Sequence, residues 1–492
     1  MNEIVLINPR TGVDIGAGLS PPAALLSIAG ELPGYRVRII DQRVEPDWKG
    51  LVRKAISNSP LCVGITSFCG KQISNGLEIS RFVKNIDRGV QIAWGGIHPT
   101  LFPEQTLRNS YVDFVIRGEG ERTFAELARA IEKGHGFSGI AGLSYKAGNR
   151  PGHNKPRPFI DLDSLQPTPW HLVDTEKYIH RNMFIKGSRR EMDIGMTSRG
   201  CAEGCRFCLN AVYNRGKWRA MSPAKTVQKI IRDAKMLHLD AVWLRDDNFF
   251  ADLGRAEKIS RELISRNANV RWYTSGIRID TFNRMPRTLI KLIKQSGCSS
   301  FRFGVESGSQ RMLDMIGKKI SVSDVLSANR KAGEHGVIPY YSFMCGIPTE
   351  TREDILRTVR LTKRLKAENP NAKIAEFTLY IPLPETELLA VCIKKGLRMP
   401  DSLEEWGRID HAKSIGIAKM PYLKKHDLRY ISNVLNTSLI VSDMVWDILP
   451  PGYRAALYPM KKWAEFRWNR LWFRYAPEIN MWTGLSGRFL EN

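Results

Sequence analysis

Three cysteines that lie close together constrain this chain more than any other feature. They are Cys201, Cys205 and Cys208 in the segment CAEGCRFC, which follows the strand-like run MDIGMTS. Thiolates at this spacing can wrap one four-iron cubane, but they ligate only three of its irons. The remaining iron can then chelate the amine and the carboxylate of a bound molecule. A structural zinc site is the alternative, although the segment offers no clear fourth ligand for it.

An alternation of strand-like and helical runs lies on both sides of this segment. From residue 3 to about 135 it predicts an open, doubly wound parallel sheet. From about 191 to 400, strand and helix units predict a partial (β/α)6 barrel with its active site at the carboxyl ends of the strands. We therefore expect an α/β chain with a doubly wound domain over 1–135, a linker rich in Pro and Gly over 136–190, a barrel over 191–400 and a helical extension over 401–492.

The cysteine spacing, with Phe207 before the last cysteine, resembles the signature of the radical S-adenosylmethionine (SAM) superfamily. The resemblance implies that a reduced 4Fe-4S cluster cleaves SAM to methionine and a 5′-deoxyadenosyl radical. SAM contacts are implied for Phe207 and for residues at the ends of strands two to five of the barrel, namely Asp246, Asp247, Arg278, Glu306, Ser307 and Gly346. The aspartates stand where relatives carry Gly-Gly-Glu. A carboxylate there can accept a bond from the methionine ammonium, and helix capping is its alternative role.

The N-terminal domain resembles the cobalamin-binding domain that precedes the barrel in one branch of this superfamily. Glycines at strand ends let a corrin approach the backbone closely. The residues implied to contact cobalamin are Thr66, Ser67, Gly95, Gly96, His98, Gly118 and Glu119. Relatives that ligate cobalt with histidine carry an Asp-x-His-x-x-Gly segment after strand one, whereas residues 8–16 hold no histidine. Cobalamin without a histidine ligand from this loop is therefore implied, and a doubly wound fold that has lost its cofactor is the alternative.

The two resemblances together imply a cobalamin-dependent radical SAM methyltransferase. Methylcobalamin, recharged from a second SAM, would methylate a radical formed at an unactivated carbon of a lipid-like or other small-molecule substrate. An external donor such as flavodoxin or ferredoxin would supply electrons. The second interpretation is a cyclase or rearrangement enzyme of the anaerobic tetrapyrrole-cyclase type, and the third is a non-catalytic cobalamin or iron-sulfur sensor. A methylthiotransferase acting on transfer RNA is disfavoured because the chain has no second group of three cysteines.

The net charge of +24 fits several anionic partners and selects none, and we expect no nucleic acid. No apolar run reaches the roughly 20 residues of a membrane-spanning helix, and the start MNEIVLINPR lacks a signal-peptide pattern, so we predict a cytoplasmic protein. Near the C-terminus tryptophans alternate with cations, namely Trp463, Trp468, Trp472 and Trp482 with Lys461, Lys462, Arg467, Arg470 and Arg474. This pattern is typical of helices in a membrane interface and predicts peripheral contact with the inner membrane surface. A terminal helix that packs its tryptophans on the barrel is the alternative.

Overall fold

The structure is a computed structural model that describes residues 2–12, 19–148, 150–298, 300–409, 420–449 and 451–478. Its strands are β1 Glu3–Asn8, β2 Arg36–Asp41, β3 Cys62–Thr66, β4 Ile92–Gly95, β5 Phe114–Ile116, β6 Leu143–Ala147, β7 Arg150–His153, β8 Glu191–Asp193, β9 Ser198–Arg199, β10 Arg219–Ala220, β11 Ala241–Leu244, β12 Arg271–Thr274, β13 Ser300–Glu306, β14 Ile338–Cys345 and β15 Lys373–Leu379. Its α-helices are α1 Ala23–Gly30, α2 Trp48–Ile56, α3 Lys71–Ile86, α4 Ile97–Leu101, α5 Pro103–Arg108, α6 Gly120–Lys133, α7 Leu209–Tyr213, α8 Pro223–Met236, α9 Leu253–Ser265, α10 Ile279–Arg284, α11 Arg287–Gln295, α12 Gln310–Met315, α13 Val322–Glu334, α14 Arg352–Glu368, α15 Glu387–Lys394, α16 Leu403–Gly407, α17 Lys425–Val441, α18 Asp443–Ile448 and α19 Pro451–Asn469. Short 3-10 helices span Leu162–Ser164, Trp170–Leu172, Thr175–Tyr178 and Phe249–Ala251.

The chain divides into two compact units. Unit 1 comprises 1–14, 20–178 and 398–413, and unit 2 comprises 15–19, 179–397 and 414–492. This division differs from the expected boundaries at 135, 190 and 400. Much of the expected linker belongs to unit 1 because β6 and β7 extend its sheet, and a segment that follows the barrel returns to the same unit.

The sheet of unit 1 has the strand order β2-β1-β3-β4-β5-β6-β7, in which β1 to β5 are parallel and β6 and β7 are antiparallel. Strand β1 is buried on both faces: Val5 and Ile7 pack into one apolar cluster, and Ile4 and Leu6 pack into another. Helices therefore cover both faces, as predicted for a parallel sheet. The strand order reverses between β1 and β3, and ligands of such folds bind outside the carboxyl ends of the strands at this point.

The segment that returns to unit 1 forms α16 and packs against α3. Trp406 is buried in the same apolar cluster as Trp94. The approach is close, since a Cβ added at Gly407 would lie 2.8 Å from the Cβ of Ser74. Gln105 also donates a hydrogen bond to the carbonyl of Pro400 at 3.0 Å. These contacts make the segment part of the core of unit 1.

Unit 2 contains the predicted partial barrel. In the described part of this unit, parallel strands follow the order β8-β11-β12 in one sheet and β13-β14-β15 in another. A parallel bridge between Ile277 and Phe303 joins the two sheets into one curved wall. Buried aromatic rings pack between these strands and the helical segments that follow them, namely Phe249, Phe250, Phe282, Phe301, Phe303 and Tyr341. The prediction of a doubly wound domain followed by a partial barrel and a helical C-terminal region is confirmed.

The C-terminal helices cover the open edge of this wall. The edge strand β15 donates its Ile374 N–H to the carboxylate of Asp443 at 2.9 Å and its Phe377 N–H to the hydroxyl of Ser438 at 3.1 Å. Edge strands need such cover because their unpaired N–H groups otherwise pair with other chains. Within the described ranges, no helix is long and apolar enough to cross a membrane.

Candidate functional site

The three-cysteine loop lies at the carboxyl end of the first barrel strand, and backbone hydrogen bonds fix it at two points. Arg206 donates its N–H to the carbonyl of Ile316 at 2.9 Å and accepts from the N–H of Leu388 at 3.0 Å. Cys205 is buried, whereas Cys201 and Cys208 are partly exposed. The loop thus presents thiols at the mouth of the barrel, as the sequence predicts.

Polar donors lie beside the sulfur atoms. Asn248 Nδ2 lies 3.8 Å from Cys201 Sγ, and Arg278 Nη1 lies 3.9 Å from Cys205 Sγ. Burial raises the pKa of Cys201 and of Cys208, and donors beside the sulfur atoms oppose this rise by favouring the thiolate form. The Oδ1 atom of Asn248 is buried without a hydrogen-bond partner in the described part of the chain, which is consistent with a further polar group at this place.

Three free thiols on one loop are the donor set that an iron-sulfur cluster requires. Among the described residues, no group of three or more His, Cys, Asp or Glu side chains is arranged to hold one metal ion. In a cubane each thiolate binds a different iron, so the sulfurs need not converge on one centre. The residues present therefore fit a 4Fe-4S cluster held by Cys201, Cys205 and Cys208.

The two aspartates after β11 have different places. Asp246 is 1% exposed and accepts hydrogen bonds from the Thr197 N–H at 3.1 Å, from the Thr197 hydroxyl at 2.9 Å and from the Ser198 hydroxyl. Burial raises the pKa of Asp246, and these hydrogen bonds oppose the rise. Asp247 is exposed, and its Oδ2 accepts from the Gly200 N–H at 2.9 Å. Asp246 therefore holds the start of the cysteine loop in this structure, while an ammonium contact stays a prediction for Asp247.

A buried ion pair that the sequence analysis missed lies between strand four and the cysteine loop. Lys318 Nζ lies 2.9 Å from the Glu306 carboxylate and 5.9 Å from the ring centroid of Phe207. Its carbonyl accepts a hydrogen bond from Arg278 at 3.0 Å. Burial opposes the ammonium form, but the charges of Glu306 and Cys205 raise the pKa of Lys318 overall. Lys318 follows α12 and does not lie at the end of a strand. The sequence predicts site residues at strand ends, so it does not indicate Lys318.

The backbone at Glu306 and Gly346 has left-handed φ angles of 73° and 82°. Glu306 lies at a shift of register between β13 and β14, which turns its side chain toward Lys318. Gly346 is buried, and a Cβ there would lie 2.7 Å from Leu379 Cδ1. Ser307 is fully buried, and its hydroxyl accepts from the Ser309 N–H at 3.1 Å and lies 3.2 Å from the Thr358 hydroxyl. Ser307 thus braces two helices in this structure, and SAM contacts stay predictions for Arg278, Glu306 and Gly346.

The carboxyl edge of the unit 1 sheet offers a cradle for a large ligand. Gly96 has φ 104°, and a Cβ there would lie 2.4 Å from the Ser67 carbonyl oxygen. Gly118 has φ 75°, and a Cβ there would project into open space. The Ser67 hydroxyl is buried without a partner among the described residues. Bare backbone and an orphaned hydroxyl at this edge fit the approach of cobalamin.

The other residues predicted to contact cobalamin lie in two settings. Thr66, Gly95 and Glu119 are partly exposed, and the Glu119 carboxylate accepts from the Ile160 N–H at 2.8 Å. His98 is 1% exposed, and its ring lies 5.2 Å from the rings of both Phe102 and Trp406. Burial lowers the pKa of His98 to about 4. His98 therefore packs as a neutral ring in the core of unit 1, and its contact with cobalamin stays a prediction.

Gly118 provides a direct test of the cobalamin edge. We expect Gly118→Ala to fold and to lose about 1 to 2 kcal/mol of stability, because alanine disfavours the left-handed φ angle. After gel filtration this variant should retain at least about ten-fold less cobalamin, because its methyl group enters the cradle. Gly134→Ala is the matched control, since Gly134 also has a left-handed φ, 64°, and open space around its Cβ position, but ends α6. Equal cobalamin retention by both variants would contradict the placement of the cofactor at Gly118.

Comparisons with known proteins agree with this geometry. The family profile of the radical SAM superfamily matches residues 196–362, and that of the B12 binding domain matches residues 16–128. An uncharacterized methyltransferase of Pyrococcus horikoshii is 32% identical over 459 residues, which cover 90% of this chain and 94% of that protein. The anaerobic magnesium-protoporphyrin IX monomethyl ester cyclase of Rubrivivax gelatinosus is 26% identical, with 78% of this chain and 69% of the cyclase covered.

Solved structures share the fold. The radical SAM methyltransferase TsrM from Kitasatospora setae, with cobalamin and a 4Fe-4S cluster bound, has a TM-score of 0.64 at 19% identity and covers 81% of this chain and 80% of its own. The cobalamin-dependent radical SAM enzyme OxsB, with aqua-cobalamin and SAM bound, has a TM-score of 0.69 at 16% identity and covers 100% of this chain and 76% of its own.

The chain combines a three-cysteine loop at the mouth of a partial barrel with a doubly wound unit that has glycines at the carboxyl edge of its sheet. This combination is that of a cobalamin-binding radical enzyme. The chain belongs to the radical SAM superfamily, in the branch that carries a B12 binding domain. Its cofactors are a 4Fe-4S cluster, SAM and cobalamin. The predictions of family, enzyme class and cofactors are confirmed, whereas the three cluster cysteines and the individual SAM and cobalamin contacts remain predictions.

Proposed function

We propose that this enzyme methylates an unactivated carbon of a small-molecule substrate. The observation that carries the proposal is the relative of 32% identity, a methyltransferase aligned over 90% of this chain, because it spans both cofactor-binding units. Ring closure is the second candidate, since the magnesium-protoporphyrin cyclase is 26% identical over 399 residues. When bound, the cluster supplies the electron that cleaves SAM to a carbon-centred radical, and cobalamin supplies a transferable methyl group.

The residues of the chain position these cofactors. Asn248 and Arg278 donate toward thiolates that burial alone would disfavour. The Asp247 carboxylate accepts a hydrogen bond from the ammonium group of the SAM methionine. Lys318, which is paired with Glu306, donates to the methionine carboxylate.

Three further parts of the proposal concern partners. Electrons come from an external acidic carrier such as flavodoxin or ferredoxin, since a net charge of +24 favours encounter with an acidic surface. The acceptor is lipid-like. The enzyme meets it at the inner membrane surface, which the exposed aromatic and cationic residues near the C-terminus support.

The test is a product analysis of the anaerobically reconstituted full chain with SAM, a low-potential reductant and cobalamin, by liquid chromatography and mass spectrometry. We expect 5′-deoxyadenosine together with S-adenosylhomocysteine, because methylation consumes one SAM for the radical and a second as the methyl source. Deoxyadenosine without S-adenosylhomocysteine would favour ring closure or rearrangement. Neither product from cluster-loaded protein would contradict both candidates and favour a sensor.

A further inference from the structure

Helix α19 and the turn after it carry aromatic side chains on two opposite sides. The inward side continues the apolar core of the C-terminal helices, with Leu457, Met460, Ala464 and Trp468. Trp468 is 7% exposed and lies 5.3 Å from the ring of Phe377 on β15. Trp468 therefore packs on the barrel, which was the alternative to membrane contact for the C-terminal tryptophans. Trp482 lies outside the described residues.

The outward side forms an aromatic patch, defined here as Trp463, Phe466 and Trp472. These side chains are 40%, 47% and 41% exposed. The Trp463 ring centroid lies 5.6 Å from that of Phe466 and 5.9 Å from that of Trp472, so the patch is contiguous. Large rings in one exposed group mark an interaction surface rather than ordinary scattered apolar residues.

The charges around the aromatic patch are mostly positive. Arg470 lies over the ring of Phe466 at 5.6 Å and is exposed, as is Lys462. Glu465 is the acidic neighbour, and it pairs with Lys462 at 2.9 Å. Of the remaining cations of this segment, Arg454 and Arg474 are exposed. Lys461 is partly buried over the ring of Trp446, and Arg467 is fully buried and paired with Glu478. Cations beside exposed indole and phenyl rings are complementary to an anionic interface.

We propose that the aromatic patch, with Lys462 and Arg470, docks this enzyme onto an anionic lipid surface. The rings enter the boundary between headgroups and acyl chains, while the two cations meet lipid phosphates. A second copy of the chain suits the surface poorly, because two copies of this mostly positive surface would bring like charges together. The inference rests on the membrane contact proposed above and names the residues that make it, and it holds whatever reaction the enzyme catalyses.

Point substitutions test the surface better than truncation, because removal of α19 would also remove Trp468 and the inward side. We expect a variant with Trp463→Ala, Phe466→Ala and Trp472→Ala to lose at least about ten-fold in partitioning onto phosphatidylglycerol vesicles in flotation of the full chain. Lys462→Gln and Arg470→Gln should each weaken binding about five-fold at low salt and leave binding to phosphatidylcholine vesicles nearly unchanged.

The matched control replaces exposed apolar residues elsewhere on unit 2, with Met236→Ala, Ile264→Ala and Ile393→Ala, whose positions are 54%, 38% and 45% exposed. Normal flotation of the control and reduced flotation of the patch variant, both with unchanged melting temperature, would support the proposal. Equal flotation of both variants, or no flotation of the native chain, would overturn it. Loss of self-association in the patch variant without loss of flotation would overturn it in favour of a second copy. Cleavage of SAM without vesicles should be unchanged, which separates this test from that of the proposed reaction.

Discussion

The Cys205→Ala variant is expected to bind no iron-sulfur cluster and to cleave no SAM. Cys205 is the buried member of the three-cysteine loop, and Arg278 Nη1 lies 3.9 Å from its sulfur. Removal of the thiolate leaves two ligands for a cubane that already has one open iron. It also leaves the Arg278 charge without the sulfur beside it. Iron and sulfide content after anaerobic reconstitution, together with formation of 5′-deoxyadenosine, measures both losses.

Cys298→Ala is the control for loss of a buried thiol as such. Cys298 is fully buried in unit 2, and its sulfur donates to the Ser300 carbonyl at 3.6 Å, away from the three-cysteine loop in sequence. This variant should lose about 1 kcal/mol of stability, as expected when a small group leaves a core, and keep its cluster. Radical cleavage of SAM by Cys205→Ala would contradict the assignment of the loop as the cluster site.

The fold was predictable because its signals are periodic and local. Buried strands such as β1 and β11 are nearly continuous apolar runs, and longer helices between them, such as α2, α6 and α8, show an apolar stripe. The order of the barrel strands follows from the right-handed connection of parallel strands. The return of α16 to unit 1 was not predictable, because the partner of Trp406 is an apolar cluster about three hundred residues earlier in the chain.

The candidate site was predictable to the level of the loop and not to the level of each side chain. Strand-end position indicates the edge at which a residue lies, but it does not distinguish a buried anchor such as Ser307 from an exposed group such as Asp247. The same holds for His98, whose burial depends on Trp406. For the tryptophans a signal was present: Leu457, Ala464 and Trp468 share one helical stripe, and Trp463 falls outside it.

The Asp246→Ala variant is expected to lose about 3 to 5 kcal/mol of stability in unit 2, as for removal of one partner from a buried charged network. The Asp246 carboxylate accepts from the Thr197 N–H, the Thr197 hydroxyl and the Ser198 hydroxyl, so its loss leaves three buried donors unsatisfied at the base of the cysteine loop. Differential scanning calorimetry of the full chain should show one transition lowered by roughly 2 to 4 °C for each kcal/mol, with poor cluster loading. A melting temperature equal to that of the native chain would contradict the anchoring role.

Asp247→Ala should separate anchoring from binding at the neighbouring position. Asp247 is exposed and accepts one hydrogen bond, from the Gly200 N–H at 2.9 Å, so its loss should cost only about 1 kcal/mol of stability. If its carboxylate meets the methionine ammonium, the affinity for SAM should fall by about 10- to 100-fold, the effect of one charge-assisted hydrogen bond. Equilibrium dialysis of cluster-loaded protein with SAM measures this affinity. Native affinity in Asp247→Ala would place the ammonium elsewhere, whereas a drop in melting temperature as large as that of Asp246→Ala would make both aspartates anchors of the loop.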